Sequence, residues 1–177
     1  MSTLPEYLDD KCEKLNTLRD ALRNPDLRPA VLSATARVAG GSGVRPVRVR
    51  EFTVITDSGP ALAGYDLGPS APELLLCALA SCLAHTFLIV AANKGLTYDA
   101  LEVEVRGRLD FRGVLEVGET ALPTPYDITY EARITSAAAP EQLEHVRHEV
   151  ERLCPVLQAI TQPLPVQGQV IQIDNSM

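Results

Sequence analysis

Tryptophan is absent from this chain of 177 residues, and all aromatic residues together make up only 5% of it. A hydrophobic core must therefore be assembled from Leu, Val, Ala and Ile. The composition is 46% hydrophobic and 22% charged, which excludes a disordered chain. Basic residues are in deficit, 16 Lys and Arg against 23 Asp and Glu, for a formal charge of −7. That balance argues against nucleic acid or an anionic membrane as the main partner. Cysteine is sparse as well: four residues without tight spacing do not form a disulfide scaffold at this length. The opening stretch MSTLPEYLDDKCEK lacks a basic segment followed by an apolar run, so no secretory signal is expected. The expectation is a cytoplasmic protein whose thiols stay reduced, where a cysteine pair is catalytic more readily than structural. There is no C-x-x-C, no H-E-x-x-H, no G-x-S-x-G and no Gly-rich phosphate loop. The run Gly40-Gly41-Ser42-Gly43 leads into a strand pattern and not a helix, which makes it a turn. No cofactor and no bound metal are expected.

The length suits one domain with an appendage. Leu4, Leu8, Cys12, Leu15, Leu18 and Leu22 recur at spacings of three and four, the pattern of an amphipathic helix over 4–23, which Asn24-Pro25 and Pro29 end. Residues 1–29 are read as a helical extension and 30–177 as the main domain. Val31 to Val38 and Val44 to Ile55 alternate in the manner of strands around the Gly-rich turn, predicting a β-hairpin. Asp57 to Pro72 carries three prolines and three glycines and reads as a loop. Leu74 to Ala92 is a run of 19 residues without Asp, Glu, Lys or Arg. Its length would nearly span a bilayer. Its Ala, Ser, Cys, His and Thr content, and the amphipathic strand patterns beside it, favour a fully buried central helix, closed by Asn93-Lys94-Gly95. Strand patterns follow at Leu101 to Asp110 and Ile128 to Ile134, then a helix over Pro140 to Leu153 that Cys154-Pro155 ends, then a last short strand over Val166 to Ile173. Strands grouped in runs define an α+β class.

Chemistry is most concentrated around two cysteines. Cys82 lies in the middle of the apolar helix, and Cys154 lies at the end of the other helix against a proline. Either could simply pack as a small hydrophobe, the reading preferred for Cys12 and for Cys77. Cys77 stands about 140° round the helix from Cys82, so those two share no face. A functional thiol needs a cation to hold it as thiolate. Cations cluster in 30–56, where Arg37, Arg45, Arg48 and Arg50 face a single acid, Glu51; they form either a solvated hairpin face or a thiolate-holding group. His85 stands three residues after Cys82 and about 60° round the helix, so a Cys–His nucleophile or half a zinc site is conceivable there. A buried, hydrogen-bonded histidine is the preferred reading.

The segments Pro72-Glu73-Leu74-Leu75-Leu76-Cys77-Ala78-Leu79-Ala80-Ser81-Cys82, Ala91-Ala92-Asn93-Lys94-Gly95, Val103-Glu104-Val105 and Cys154-Pro155-Val156 resemble the OsmC/Ohr family, the osmotically inducible protein C and organic hydroperoxide resistance proteins. The resemblance runs from about Val31 to Ile173 and leaves the N-terminal helix outside. It implies an OsmC-like fold: an intertwined homodimer in which long central helices are wrapped by antiparallel β-sheet, with sites at the subunit interface. It also implies a thiol-dependent peroxidase for organic hydroperoxides, with Cys82 peroxidatic and Cys154 resolving, regenerated by a thiol or dithiol reductant. An arginine of the hairpin, Arg50 first and Arg48 second, would stabilise the Cys82 thiolate. Glu73 would orient that arginine. The family places this glutamate ten residues before the cysteine; here Pro72 stands there and Glu73 stands nine before, about 100° away round the helix. The alternative is a non-enzymatic module whose dimer cleft binds an apolar small molecule.

Overall fold

The computed structural model describes residues 3–118 and 121–173. The outermost residues of both expected units, 1–2 and 174–177, lie outside that description. Five helices and five strands follow in the order α1 (Leu4–Leu22), β1 (Thr35–Ala36), β2 (Arg45–Val49), β3 (Phe52–Thr56), α2 (Ala71–Lys94), β4 (Ala100–Arg108), α3 (Phe111–Val114), β5 (Tyr126–Thr135), α4 (Pro140–Leu153) and α5 (Pro155–Thr161).

The long helices start and stop where side chains satisfy their free backbone groups. At the head of α1, Thr3 and Glu6 form a reciprocal capping box. At the head of α2, Glu73 accepts 2.7 Å hydrogen bonds from both the N–H and the hydroxyl of Ser70. Gly95 closes α2 in the left-handed conformation at φ +65°. The loop before α2 is organised by buried Asp57, whose Oδ2 accepts the N–H groups of Tyr65 and Leu67. Gly64 is required in it, because a Cβ there would fall 1.7 Å from the Ser58 carbonyl oxygen.

β4 and β5 pair antiparallel, with Val103 opposite Ala132 and Val105 opposite Tyr130. Their apolar face packs on α2, as do α1, α4 and α5. The core is the junction of these elements: Leu79, Leu83, Phe87 and Val90 from α2 meet Val146 and Val150 from α4, Leu8 from α1, and Cys154. Burying each such Leu, Val or Phe contributes about 1.5–3 kcal/mol.

Four expectations need correction. The single strand expected over Val44–Ile55 is two strands, because the chain reverses at Arg50-Glu51 with Arg50 at φ +54°. No Gly or Asn marks this two-residue turn, so nothing in the residue types announced it. The first expected strand shrinks to Thr35–Ala36. The last, Val166–Ile173, is extended chain without strand pairing, and Val170 is 99% exposed. An alternating segment makes a strand only when another strand's edge meets it. Finally, α2 is not buried all round. It is long and apolar enough to cross a membrane, yet only 33% of its most apolar stretch is buried, on the face turned to β4, α4 and α5. Leu74, Leu75 and Leu76 are half-buried, and Cys77 and Ala78 are open to solvent.

The three-stranded sheet β1-β2-β3 pairs within itself and makes no extensive contact with the α2 core. Phe52, Val54 and Ile55 are exposed on it.

Candidate active site around Cys82 and Cys154

Helical periodicity carries the Cys82 thiol to the side of α2 where α4 gives way to α5. The break between those helices follows from Pro155: it forces Cys154 out of helical space, to φ −71° and ψ 112°, and then serves as the first residue of α5. Cys154 is pinned on both sides, its N–H donating to Val150 O at 2.9 Å and its carbonyl accepting from Gln158 N at 3.0 Å. Its side chain is fully buried in the core cluster. The half-buried Cys82 packs against the buried cluster to which Cys154, 72 positions further along the chain, belongs.

Burial and three neighbouring groups set the acidity of Cys82. Burial raises its pKa above the ordinary thiol value, and the neighbouring Cys154 thiol raises it further. The N–H of Val156 and the hydroxyl of Thr86 act in the opposite direction. Neither group figured in the sequence analysis. Thr86 had a signal: it is a hydroxyl one helical turn beyond Cys82 in an otherwise apolar run. It is buried, and its Oγ1 donates to the Cys82 carbonyl at 2.8 Å. Val156 contributes only backbone, freed because it sits in the first turn of α5, and no side-chain pattern marks that.

The other expected site residues lie elsewhere. Arg50 occupies the β2–β3 turn, its guanidinium 5.1 Å from the centre of the Phe52 ring. Arg48 and Arg50, with Arg37, line a groove of about 610 Å³ on the three-stranded sheet, away from the helical core. Glu73 serves as the capping residue of α2, and its hydrogen bonds with Ser70 hold its carboxyl below the usual range. His85 is exposed at the α1–α2 contact, not buried, with Lys11 Nζ 3.1 Å from its Nε2. Partial desolvation at that contact and the Lys11 charge lower its pKa. No group of three or more His, Cys, Asp or Glu side chains able to hold a metal exists among the described residues, so Cys82 and His85 stand without further ligands.

The chain is thus an α+β protein with an apolar central helix, one thiol at the middle of that helix and a second, at a Cys-Pro helix break, in the buried cluster it packs against. The family model for OsmC-like proteins matches residues 64–168, more than half of the chain, and the chain belongs to that family. Solved structures agree on the fold. An OsmC-like protein from Mycoplasma pneumoniae superposes with a TM-score of 0.65 at 19% identity, covering 76% of this chain and 89% of that one. The organic hydroperoxide resistance protein OsmC of Legionella pneumophila gives 0.57 at 15% identity, with 76% and 91% covered. An organic hydroperoxide resistance protein from Elizabethkingia anophelis gives 0.57 at 15% identity, with 75% and 89% covered. A comparison with curated proteins finds no match. The family match begins at residue 64, so α1 lies outside it, as the sequence resemblance also implied.

Proposed function

We propose that this chain is a thiol peroxidase that reduces organic hydroperoxides through Cys82 and Cys154, in a reducing cytoplasm and as a homodimer. The observation that carries the reading is the packing of Cys82 against the buried cluster that holds Cys154, where α2 meets the α4–α5 break. In the proposed cycle the Cys82 thiolate attacks the distal peroxide oxygen. An S–O bond forms, the O–O bond breaks, and the alkoxide leaves as an alcohol after taking up a proton. The Cys154 sulfur then attacks the Cys82 sulfenic acid, forming the disulfide and releasing water. A small thiol or dithiol returns two electrons and two protons. The Leu- and Ala-rich wall around Cys82 favours an alkyl hydroperoxide over hydrogen peroxide, since only the former has an apolar tail to bury.

The homodimer completes this reading. Within one chain Cys82 is held above the ordinary thiol pKa, and the arginines that could lower it sit on a sheet that leaves the helical core. A second copy laid along the open face of α2 would bring Arg48 or Arg50 of its own hairpin toward Cys82. It would also cover Leu74 to Ala78 and the exposed Phe52, Val54 and Ile55. Several relatives are described as organic hydroperoxide resistance proteins, which supports the substrate class. Glu73 is assigned to hold such an arginine only through a carboxylate oxygen not engaged by Ser70.

The test is a single-turnover titration of the fully reduced protein with one equivalent of an organic hydroperoxide. Loss of two thiols with a Cys82–Cys154 cross-link by peptide mapping is the expected result, and Cys82→Ser should abolish it. Survival of all four thiols would overturn the proposal.

One observation favours a second reading, a binding module for an apolar molecule. A cavity of about 480 Å³ opens between β5 and α4, floored by Phe87, Ala132, Ile134 and Leu143 and rimmed by Tyr130, Arg147 and Glu151. A lipid-like molecule co-purifying with peroxide-inert protein would support that reading.

A further inference from the structure

α1 lies outside the family match, yet it packs on the helix that carries Cys82. Lys11 Nζ lies 3.1 Å from His85 Nε2, and Arg19 donates to Asn93 Oδ1; both pairs are 74 positions apart. Equal offsets eight residues apart mean that α1 and α2 run parallel and in step. The same offset places Leu8 level with Cys82. On α2, His85 and Asn93 bound an arc of about 80°, and Cys82 falls about 60° into it. α1 therefore covers the side of α2 from which the Cys82 thiol projects. Leu8 is 2% exposed and belongs to the buried cluster against which Cys82 packs. Cys82 thus lies between α1 on one flank and the Cys154–Val156 break on the other.

We propose that Leu8 is a wall of the Cys82 site and selects by girth what reaches the sulfur, admitting slender unbranched hydroperoxides and thiols and rejecting branched ones. A γ-branched side chain packed at the level of the thiol removes lateral room while leaving passage along the α2 axis. The inference concerns the same site as the proposed peroxidase, but it rests on access to Cys82 and not on turnover.

The experiment uses the full-length reduced protein and two reagents with one electrophile and different bulk, N-methylmaleimide and N-cyclohexylmaleimide. Labelling of Cys82 is followed by peptide mapping. In Leu8→Ala the cyclohexyl reagent should gain about tenfold while the methyl reagent changes less than about twofold, the scale expected for a few methylenes in an apolar pocket. In Leu8→Phe the cyclohexyl reagent should slow more than the methyl one. A loosened or unfolded α1 accelerates both reagents, so slowing in Leu8→Phe separates a wall from a loss of structure. An unchanged ratio of the two rates in Leu8→Phe would overturn the proposal, as would equal acceleration of both reagents in the two variants. A changed ratio in a protein that ignores hydroperoxide would keep the wall and remove the peroxidase.

Discussion

At the scale of single residues, opposed influences meet at Cys82: burial and the Cys154 thiol raise its pKa, while the Val156 N–H and the Thr86 hydroxyl act to lower it. The Thr86 hydroxyl has one hydrogen, which is given to the Cys82 carbonyl at 2.8 Å while the sulfur is neutral. When the thiol ionises, turning that hydrogen to the sulfur exchanges a neutral hydrogen bond for a charge-assisted one, roughly twice as strong. Thr86→Val keeps the shape and removes the donor. Its Cys82 pKa should rise, slowing alkylation at neutral pH by about three- to tenfold, and Thr86→Ser should restore both. A pH profile of alkylation identical in Thr86→Val and the parent would show that the hydroxyl serves only the backbone. The placement of the two cysteines, one mid-helix and one at a helix break, was legible from periodicity and a Cys-Pro dipeptide. Thr86 was legible only in hindsight, since a mid-helix threonine usually bonds to the carbonyl one turn back and does nothing else.

At the scale of elements, what could be read depended on whether a segment's partner lay in the same chain. α1, α2, α4, β4 and β5 find apolar partners within the chain, and their patterns placed them correctly. α5 was missed because Pro155 reads equally as a stop and as the start of a new helix. α1 docks partly through the pairing of Lys11 with His85, which requires a neutral imidazole acceptor. The pKa of His85 is lowered in the fold, by burial and by Lys11. The contribution of this contact to stability is therefore full above the unfolded histidine value near 6.5, and is lost as pH falls below it. Lys11 also donates to the Tyr7 hydroxyl at 3.3 Å. Glu6, Asp57 and Glu73, whose carboxyls are held below the usual range, titrate at lower pH and leave the window clear. The thermal midpoint of the parent should drop between pH 7 and pH 5 by more than that of His85→Gln. Parallel pH curves for the two proteins would mean that the contact adds nothing to docking.

At the scale of the whole molecule, three surfaces are apolar and open at once: the N-terminal half of α2, the three-stranded sheet, and the segment from Val166 to Ile173. Val166 is 91% exposed and Ile173 87%, in a stretch whose alternation is that of a strand. Each surface alone is unremarkable for a monomer. In the proposed homodimer a second copy would cover all of them by one symmetric contact, since a twofold contact presents the same patches twice. The extended tail gives the sharpest test, because its backbone N–H groups gain partners only if a strand edge meets them. In the protein in solution, amides across 166–173 should exchange with solvent far more slowly than those of an open chain, and the protection should fade on dilution together with the sedimentation of a dimer. Unprotected amides in a particle that sediments as a monomer would leave Cys82 without a donated arginine, its pKa raised by burial with no cation to oppose it.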